Sequence, residues 1–321
     1  MTNNRFGPLV AVTGSSGYIG SQLLQELENQ TSIAKLIAID TKSLSMPLHN
    51  IYTYRLDITK PLDKVFQHHQ ISTVVHLAFD MREGQTQQEA ISIQTSNLVG
   101  LQNLLVSCRA SHVKNIVYLS SHTVYGAHPG NPIPITEERL PNPIDNFHYG
   151  QTKYLSETIL RHFSEENPGI GVTILRCCMV IGPEGTSYAA SGFQKPFLVK
   201  VLGHDPPLQF IHDRDLARVL TIFSIEPRPG IYNVAGDGTI PYSSMARIMG
   251  KRLVTLPPFL AYPLVTTSWK LGLQRQASSS GLSFIRYPIV LTNGKLKKFT
   301  GYRFHYNSEE AVRSYALSNL Q

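Results

Sequence analysis

The stretch "YGQTK" places a tyrosine and a lysine, Tyr149 and Lys153, four residues apart at the start of a predicted helix. Residues at this spacing lie on one face of a helix. A lysine ammonium close to a phenol favours its anionic form, so the pattern predicts a Tyr149 pKa lowered from about 10. Such a tyrosine can take a proton from an alcohol while hydride leaves the carbon, or return the proton in the reverse reaction.

Two serines supply a hydroxyl for the same chemistry. Ser120 and Ser121 stand at the end of "NIVYLSS", an apolar run that predicts a strand over residues 115–120. Ligands of parallel sheets bind at the carboxyl ends of the strands. A serine at this position is therefore expected to hold the substrate oxygen that Tyr149 protonates.

A glycine-rich turn near the N-terminus has the pattern of a phosphate site. The stretch "VAVTGSSGYIGSQLL" carries Gly14, Gly17 and Gly20 between a predicted strand over residues 8–13 and a predicted helix over residues 20–29. Glycines permit a tight turn and let backbone N–H groups approach a pyrophosphate, while the helix N-terminus supplies positive potential.

An acid follows at the position that recognises a ribose. Asp40 closes the next predicted strand, "KLIAID", a little over 20 residues after the glycines. A carboxylate there accepts hydrogen bonds from the adenosine ribose and repels a 2′-phosphate. The sequence therefore favours NAD over NADP, although Lys42 keeps NADP open as the alternative.

The elements that position these residues alternate through the first half of the chain. Short apolar runs at residues 35–40, 73–78, 115–120 and 171–175 are separated by helical patterns. This rhythm predicts an α/β fold with a doubly wound parallel sheet covered on both faces. We expect this domain over residues 1–180, with part of residues 207–236 returning to it, and a smaller C-terminal α+β substrate domain over residues 181–321.

Composition excludes several other classes of protein. The 321 residues carry a net charge of +7, but the 29 lysines and arginines form no dense basic run, so we expect no nucleic-acid partner. Cys108, Cys177 and Cys178 form no disulfide framework, and no H-x-x-H or C-x-x-C pattern indicates a metal. Without an apolar signal core at the N-terminus, a cytoplasmic location is expected.

One late segment is strongly apolar. Residues 253–269 contain three prolines and fall short of a membrane span. We expect this segment to cover a pocket or to pack on a core, with docking on a membrane surface as the less favoured alternative. No membrane partner is therefore predicted.

The motifs together resemble the extended short-chain dehydrogenase/reductase superfamily, in particular its NAD-dependent epimerase/dehydratase branch. The resemblance rests on "TGSSGYIG", "DI" at Asp57–Ile58, "HLA" at His76–Ala78, "SSHTVYG" and "YGQTK", and covers about residues 8–183. It implies a Rossmann domain in which Ser121 and Tyr149 are the catalytic hydroxyls. Lys153 would bind the nicotinamide ribose and lower the tyrosine pKa.

The resemblance also implies where the ligands lie. Residues implied for the cofactor are Gly14, Ser16, Gly17, Tyr18, Ile19 and Gly20 at the pyrophosphate, Asp40 at the ribose, Asp57 and Ile58 at the adenine, Leu77 and Ala78 along the dinucleotide, and Cys177, with Cys178 and Met179, near the nicotinamide. Ser121 and Tyr149 are also implied for the substrate, and Arg286 is a candidate phosphate contact. Two roles are open for His122, an additional acid or base beside Ser121 or a hydrogen-bonded loop histidine. Asn97 resembles a structural asparagine of the family. Relatives pair through two helices each, which implies a homodimer through the helices near residues 89–107 and 149–163.

Departures from the family pattern narrow the reaction. Sugar dehydratases of the family carry an acidic pair just before "VYG", and the decarboxylases carry an acid there. This chain has His122 and Thr123 at those places, which disfavours both reactions. Leu208 and Thr292 stand where relatives have an arginine and an aspartate, which weakens the case for a nucleotide diphosphate.

The prediction is therefore an NAD-dependent epimerase or dehydrogenase acting at a secondary alcohol of a sugar or sugar-nucleotide-like substrate. One alternative is an NADP-linked carbonyl reductase or dehydrogenase of a smaller apolar substrate. A second alternative is a nucleotide-sensing regulator without turnover.

Overall fold

The computed structural model describes residues 7–185, 195–273 and 279–319 of the chain. Strands and helices alternate over the first part of it. In order they are β1 (Leu9–Thr13), α1 (Tyr18–Glu28), β2 (Lys35–Asp40), β3 (Ile51–Arg55), α2 (Asp63–His69), β4 (Thr73–His76), α3 (Gln87–Ala110), β5 (Asn115–Ser121), a 3-10 helix (His122–Tyr125), α4 (His148–Glu166) and β6 (Gly171–Cys177).

The later elements are shorter and less regular. They are β7 (Met179–Ile181), β8 (Phe197–Val201), β9 (Pro207–Leu208), β10 (Phe210–His212), α5 (Asp213–Ile225), β11 (Gly230–Val234), β12 (Ile240–Pro241), α6 (Tyr242–Ile248), β13 (Arg252–Leu256), α7 (Pro258–Lys270), a 3-10 helix (Ser279–Ile285), α8 (Gly294–Thr300) and α9 (Ser308–Asn319). Three small two-stranded sheets pair β7 with β10, β9 with β12 and β8 with β13.

Seven strands form one parallel sheet in the order β11-β6-β5-β4-β1-β2-β3. The doubly wound parallel sheet predicted from the sequence is confirmed. The strand order reverses between β1 and β4, and in such sheets ligands bind outside the carboxyl ends of the strands at that point. Strand β11 joins the sheet from beyond residue 207, beside β6.

Apolar side chains cover both faces of this sheet. Because side chains alternate along a strand, Val10 and Val12 of β1 face α1 and α5, while Ala11 faces α2, α3 and α4. A third apolar cluster lies among the later elements and packs β7, β10, α6 and α9 around Phe210 and Met245. These two layers and the third cluster fix the frame that carries the candidate site.

Helix α7 differs from the other elements. It lies within the apolar segment that was expected to cover a pocket or pack on a core, but Ala261 is its one buried residue. Among the described helices, none is long and apolar enough to span a membrane. The apolar side chains of α7 therefore point largely to solvent.

Candidate functional site

The glycine turn brings β1 against the end of β4. Gly14 has φ of +72°, and a Cβ there would lie 2.5 Å from the backbone nitrogen of Ala78. A side chain at Gly20 would collide with the carbonyl oxygen of Gly14. Only glycine satisfies both the backbone conformation and the close approach. Leu77 and Ala78 are thereby placed beside the turn.

The N-terminus of α1 faces this turn without a side-chain cap. Gly17 precedes the helix and donates its own N–H to the Gly14 carbonyl at 3.1 Å. The N–H groups of a first helical turn have no partner within the helix, so they and the helix dipole favour an anion. Ser16, Ile19 and Gly20 lie around the same turn. Tyr18 differs, because its hydroxyl donates to Asp213 at 2.7 Å.

Asp40 joins the turn to the end of β2. One carboxylate oxygen accepts the N–H of Ser16 at 2.9 Å, and the other accepts the N–H of Lys42 at 3.0 Å. The side chain is half-buried and keeps further lone pairs for a ligand hydroxyl. The bare turn, the uncapped helix and this carboxylate fit a dinucleotide.

The residues predicted at the adenine lie after β3. Asp57 is exposed and its carboxylate accepts the N–H of Thr59 at 2.9 Å. Ile58 packs on α3, where a Cβ at Gly100 would lie 2.6 Å from its Cδ1. Asn97 of α3 holds the loop after β4, since its amide oxygen accepts the Asp80 N–H and its amide nitrogen donates to the Asp80 carbonyl.

Tyr149 and Ser121 meet at the carboxyl end of β5. Tyr149 stands in the first turn of α4, and the Ser121 hydroxyl is near enough to its phenol to lower the tyrosine pKa. Ser121 also accepts hydrogen bonds from the N–H and the hydroxyl of Thr123, at 3.2 and 2.9 Å. The two hydroxyls predicted to act together therefore lie close to each other.

Lys153 lies one turn further along α4 and is buried. Its ammonium donates to the Leu119 carbonyl at 2.8 Å and sits 3.8 Å from the ring centroid of Phe79, the residue after Ala78. Phe79 in turn packs edge-on against Tyr149, with ring centroids 5.6 Å apart. This aromatic contact connects the tyrosine and lysine to the glycine turn.

The pKa of Tyr149 departs from the prediction. Burial raises the pKa of Tyr149 to about 12, and the bond from Ser121 offsets this only in part. Burial also lowers the pKa of Lys153 to about 7. The predicted lowering of the tyrosine pKa is therefore wrong for this structure, because the loss of solvent around the phenol outweighs the attraction of a cation 6.0 Å from its ring.

Glu83 is a site residue that the sequence did not reveal. Its buried carboxylate accepts the N–H groups of His148 and Tyr149, at 3.1 and 3.0 Å, and so caps the helix that carries the tyrosine. Burial raises the pKa of Glu83 to about 7 against the opposing effect of these two bonds. Glu83 lies in an irregular loop after β4, where no periodicity distinguishes it from other acids.

A buried polar network holds α4 to the sheet. Glu157 of α4 accepts the hydroxyl of Ser120 at 2.6 Å and pairs with Arg176 of β6 at 2.7 Å. Arg176 also donates to the Tyr125 hydroxyl, which donates to Asn233 of β11. Ser120 is therefore engaged in structure, which leaves Ser121 as the serine of the site.

His122 faces the end of β6. Its Nδ1 lies 3.1 Å from the Cys177 carbonyl, which can only accept, so Nδ1 carries the proton. Burial lowers the pKa of His122 to about 4. At neutral pH the ring is therefore neutral, with Nε2 as an acceptor. Cys177 lies directly beside Ser121 in the sheet register, and burial raises the pKa of its thiol well above the usual value.

Arg286 lies in the C-terminal part of the chain, directly after the 3-10 helix Ser279–Ile285. Its guanidinium donates to Nε2 of His204 at 3.2 Å. Phe284, two residues earlier, packs on Phe147, whose ring lies 6.0 Å from that of Tyr149. Leu208 is half-buried in β9, and the Thr292 hydroxyl accepts the N–H of Gly294 at the start of α8. Neither residue supplies a charge.

Within the described ranges, no group of three or more histidines, cysteines or acids is placed to hold an ion. The three cysteines are free and buried. The candidate reacting groups are the hydroxyls of Ser121 and Tyr149 and the amine of Lys153.

Comparison with known proteins places these features in context. The sequence model of the NAD-dependent epimerase/dehydratase family matches residues 10–235. The chain is 24% identical over 320 residues to an uncharacterized Mycobacterium tuberculosis protein, covering 97% of this chain and 84% of that one. It is 28% identical over 258 residues to UDP-glucose 4-epimerase of Yersinia pestis, covering 70% and 75% of the two chains.

Solved structures show the same fold. One is a UDP-N-acetylglucosamine 4-epimerase from Methanobrevibacter ruminantium in complex with UDP-N-acetylmuramic acid, with a TM-score of 0.74 at 20% identity over 98% of each chain. Another is a Thermus thermophilus UDP-glucose 4-epimerase in complex with NAD, with a TM-score of 0.73 at 21% identity over 97% of this chain and 98% of that one.

Proposed function

The chain belongs to the NAD-dependent epimerase/dehydratase family and is an enzyme of the extended short-chain dehydrogenase/reductase type, and we propose that it interconverts a secondary alcohol of a sugar or sugar-nucleotide-like substrate and the corresponding ketone. The observation that carries this proposal is the proximity of the Tyr149 and Ser121 hydroxyls at the carboxyl end of β5, with Lys153 one helical turn away. The proposed cofactor is NAD, because Asp40 stands where a 2′-phosphate would be repelled.

In this proposal, separate groups of residues bind the dinucleotide, orient the substrate and transfer the proton. Gly14, the first turn of α1 and Asp40 hold the dinucleotide, which when bound accepts or returns the hydride. Ser121 orients the substrate oxygen. Tyr149 gives a proton to that oxygen in the reductive direction and takes it back in the oxidative direction, a role consistent with a phenol that is protonated at neutral pH.

The groups next to Ser121 favour oxidation and reduction over elimination. Loss of water needs an acid and a base close to the sugar, and the places used by dehydratases hold His122, which is neutral, and Thr123, which donates to Ser121. A neutral imidazole whose Nε2 accepts a hydrogen bond suits a substrate hydroxyl. Epimerisation and simple dehydrogenation need bound NAD and the Ser121, Tyr149 and Lys153 set, without a further acid or base.

The proposal also covers the substrate class, the cellular location and the oligomeric state of the protein. Arg286 is the cation that we assign to the anionic part of a nucleotide sugar, as the UDP-sugar epimerases among the relatives suggest. The free cysteines support a cytoplasmic location. We also propose a homodimer through α3 and α4, and a division into the two domains predicted from the sequence.

The test compares Tyr149→Phe with Tyr154→Phe, a matched change on the same helix. The enzyme purified without dialysis is first analysed for released nucleotide by mass spectrometry, and turnover is then measured with UDP-sugars. Tyr149→Phe should lose turnover by about 10²–10⁴-fold while NAD affinity is kept, because only the proton-transfer group is removed. Tyr154→Phe should retain both.

The same samples separate the two reactions. An epimerase retains its NAD and accumulates no NADH, whereas a dehydrogenase releases NADH as the alcohol is consumed. Full turnover by Tyr149→Phe would contradict the proposed role of the tyrosine, and failure to bind NAD would contradict the proposed cofactor.

A further inference from the structure

The positive charge of the chain is concentrated in one segment. Residues 238–308 contain ten lysines and arginines and no aspartate or glutamate, while the whole chain has 29 basic and 22 acidic residues. The rest of the chain is therefore slightly acidic, and the net charge of +7 arises entirely from this segment. Such a separation of charge creates a long-range field that attracts anionic surfaces.

Exposed apolar side chains are concentrated in and beside the same segment. Of the sixteen large apolar residues that are exposed in the described ranges, eight belong to β8, β13, α7 and the residues next to them. They are Phe197, Leu202, Val254, Phe259, Leu260, Leu264, Leu271 and Leu273. Single exposed apolar residues are ordinary, but a contiguous set marks an interaction site.

The exposed residues of α7 follow the helical period. They occur as Phe259 and Leu260, then Pro263 and Leu264, then Thr267, then Lys270 with Leu271 just past the helix end. Residues spaced by three and four lie on one side of a helix, so this is one continuous face. Its charged member is Lys270, at the last turn.

The neighbouring two-stranded sheet adds to this face. In the parallel register of β8 and β13, Arg252 stands opposite Phe197 and Val254 opposite Val199. Alternation along a strand places Arg252 and Val254 on the same side. The result is an apolar surface that also carries an arginine and a lysine. Neither β13 nor α7 contributes a carboxylate to it.

We propose that this face, formed by α7 and the β8–β13 pair, docks on the surface of an anionic lipid bilayer. Leucine, phenylalanine and proline side chains enter the boundary between headgroups and acyl chains, while Lys270 and Arg252 meet the lipid phosphates. The helix lies in the plane of the interface, since it is too short to cross the bilayer.

The charge distribution argues for a membrane and against a second copy of the chain. Two copies meeting through this face would bring together Arg252 and Lys270 of each copy, with no carboxylate from β13 or α7 to pair with them, which is unfavourable. An anionic bilayer offers both the opposite charge and the apolar interior that the exposed side chains require.

The test uses the full chain and exploits its single tryptophan, Trp269, which lies in α7. The protein is mixed with vesicles of equal parts phosphatidylcholine and phosphatidylglycerol, and separately with pure phosphatidylcholine vesicles. We expect flotation with the anionic vesicles, weakened by salt, together with quenching of Trp269 fluorescence by lipids brominated on their acyl chains. Absence of flotation, or flotation without quenching, would overturn the proposal.

Two variants localise the contact. Leu264→Asp should weaken vesicle binding by about tenfold or more, since it replaces an inserted apolar group with a charge that repels the lipid. Leu140→Asp, at a similarly exposed leucine outside the face, should bind as the unchanged chain does. Equal binding by the two variants would contradict the assignment.

Sedimentation of both variants is the further check. A change of oligomeric state in Leu264→Asp would show that the face is an interface between copies of the chain instead.

Discussion

Burial and hydrogen bonding act in opposite directions on Glu83. Two backbone N–H groups and the positive end of α4 favour its carboxylate, while removal from water favours the neutral acid. Burial is the larger effect, and it raises the pKa of Glu83 to about 7. Glu83 is therefore close to half-protonated at neutral pH, directly behind the tyrosine of the site.

This pKa gives a prediction for the pH dependence of stability. Between the unfolded pKa of 4.5 and the folded pKa of about 7, the folded state binds a proton that the unfolded state lacks, so this contribution is lost as pH rises. Glu83→Gln removes the effect. The free energy of unfolding of the variant, relative to the unchanged chain, should rise by about 3 kcal/mol from pH 4.5 to pH 8.

Urea denaturation at a series of pH values measures this difference. Glu89→Gln serves as the control, because Glu89 is an exposed carboxylate that also accepts a backbone N–H, from Gln85. A pH-independent difference between Glu83→Gln and the unchanged chain would contradict the raised pKa of Glu83.

The spacing of residues in the sequence is enough to predict which side chains share a face of a helix. It does not predict how deeply those side chains are buried. The four-residue interval between Tyr149 and Lys153 and the glycine intervals around Gly14 depend on fixed backbone geometry, so the sequence was enough to locate them. The pKa of Tyr149 depends on how much water surrounds the phenol, which the packing of distant elements decides. Glu83 was missed for the same reason.

At the scale of elements, one ion pair determines how α4 sits on the sheet. Arg176 and Glu157 are both almost fully buried, and their partners reach β5 through Ser120 and β11 through Asn233. Removing one member of such a pair leaves an uncompensated charge away from water. The position of Tyr149 on α4 therefore depends on a pair that lies outside the reacting groups.

Arg176→Met should lower the free energy of unfolding by about 3–5 kcal/mol, measured by urea denaturation. Arg313→Met is the matched control, because Arg313 pairs with Glu309 in an exposed ion pair on α9, and such pairs contribute about 0–1 kcal/mol. Equal losses in the two variants would show that the buried pair does not fasten α4.

Regular elements were predictable where the pattern is local. The strand "KLIAID" begins and ends as expected, because a continuous apolar run bounded by polar residues suits a central parallel strand. The two-residue strands β9 and β12 could not be foreseen, since they are defined by pairing with distant residues. The solvent exposure of one face of α7 was also not predicted, because an apolar sequence does not indicate which side of a helix packs against the rest of the protein.

For the whole molecule, the remaining exposed apolar residues of long helices mark a second surface. Ile91, Val99 and Val106 of α3 and Leu155 of α4 are exposed by 51%, 42%, 55% and 38%. The intervals along α3 are close to multiples of the helical turn, so Ile91, Val99 and Val106 form a stripe. Helices α3 and α4 pack on each other, and Leu155 is the exposed apolar residue of the second helix.

We expect this stripe to be the contact between two copies of the chain. A pair of helices from each copy would cover the four apolar residues as a four-helix interface. Val99→Arg should shift the chain from dimer to monomer, because two arginines would then meet near the two-fold axis without a partner. Sedimentation equilibrium measures the mass.

Leu317→Arg, at an exposed leucine of α9, is the control and should leave the dimer intact.

Two variants, Val99→Arg and Leu264→Asp, separate the prediction of a dimer contact from the prediction of a membrane contact. Val99→Arg should lose dimerisation and keep its attraction to anionic vesicles, whereas Leu264→Asp should keep the dimer and lose the vesicles. If Val99→Arg sediments as the unchanged chain does, α3 is not the contact between copies.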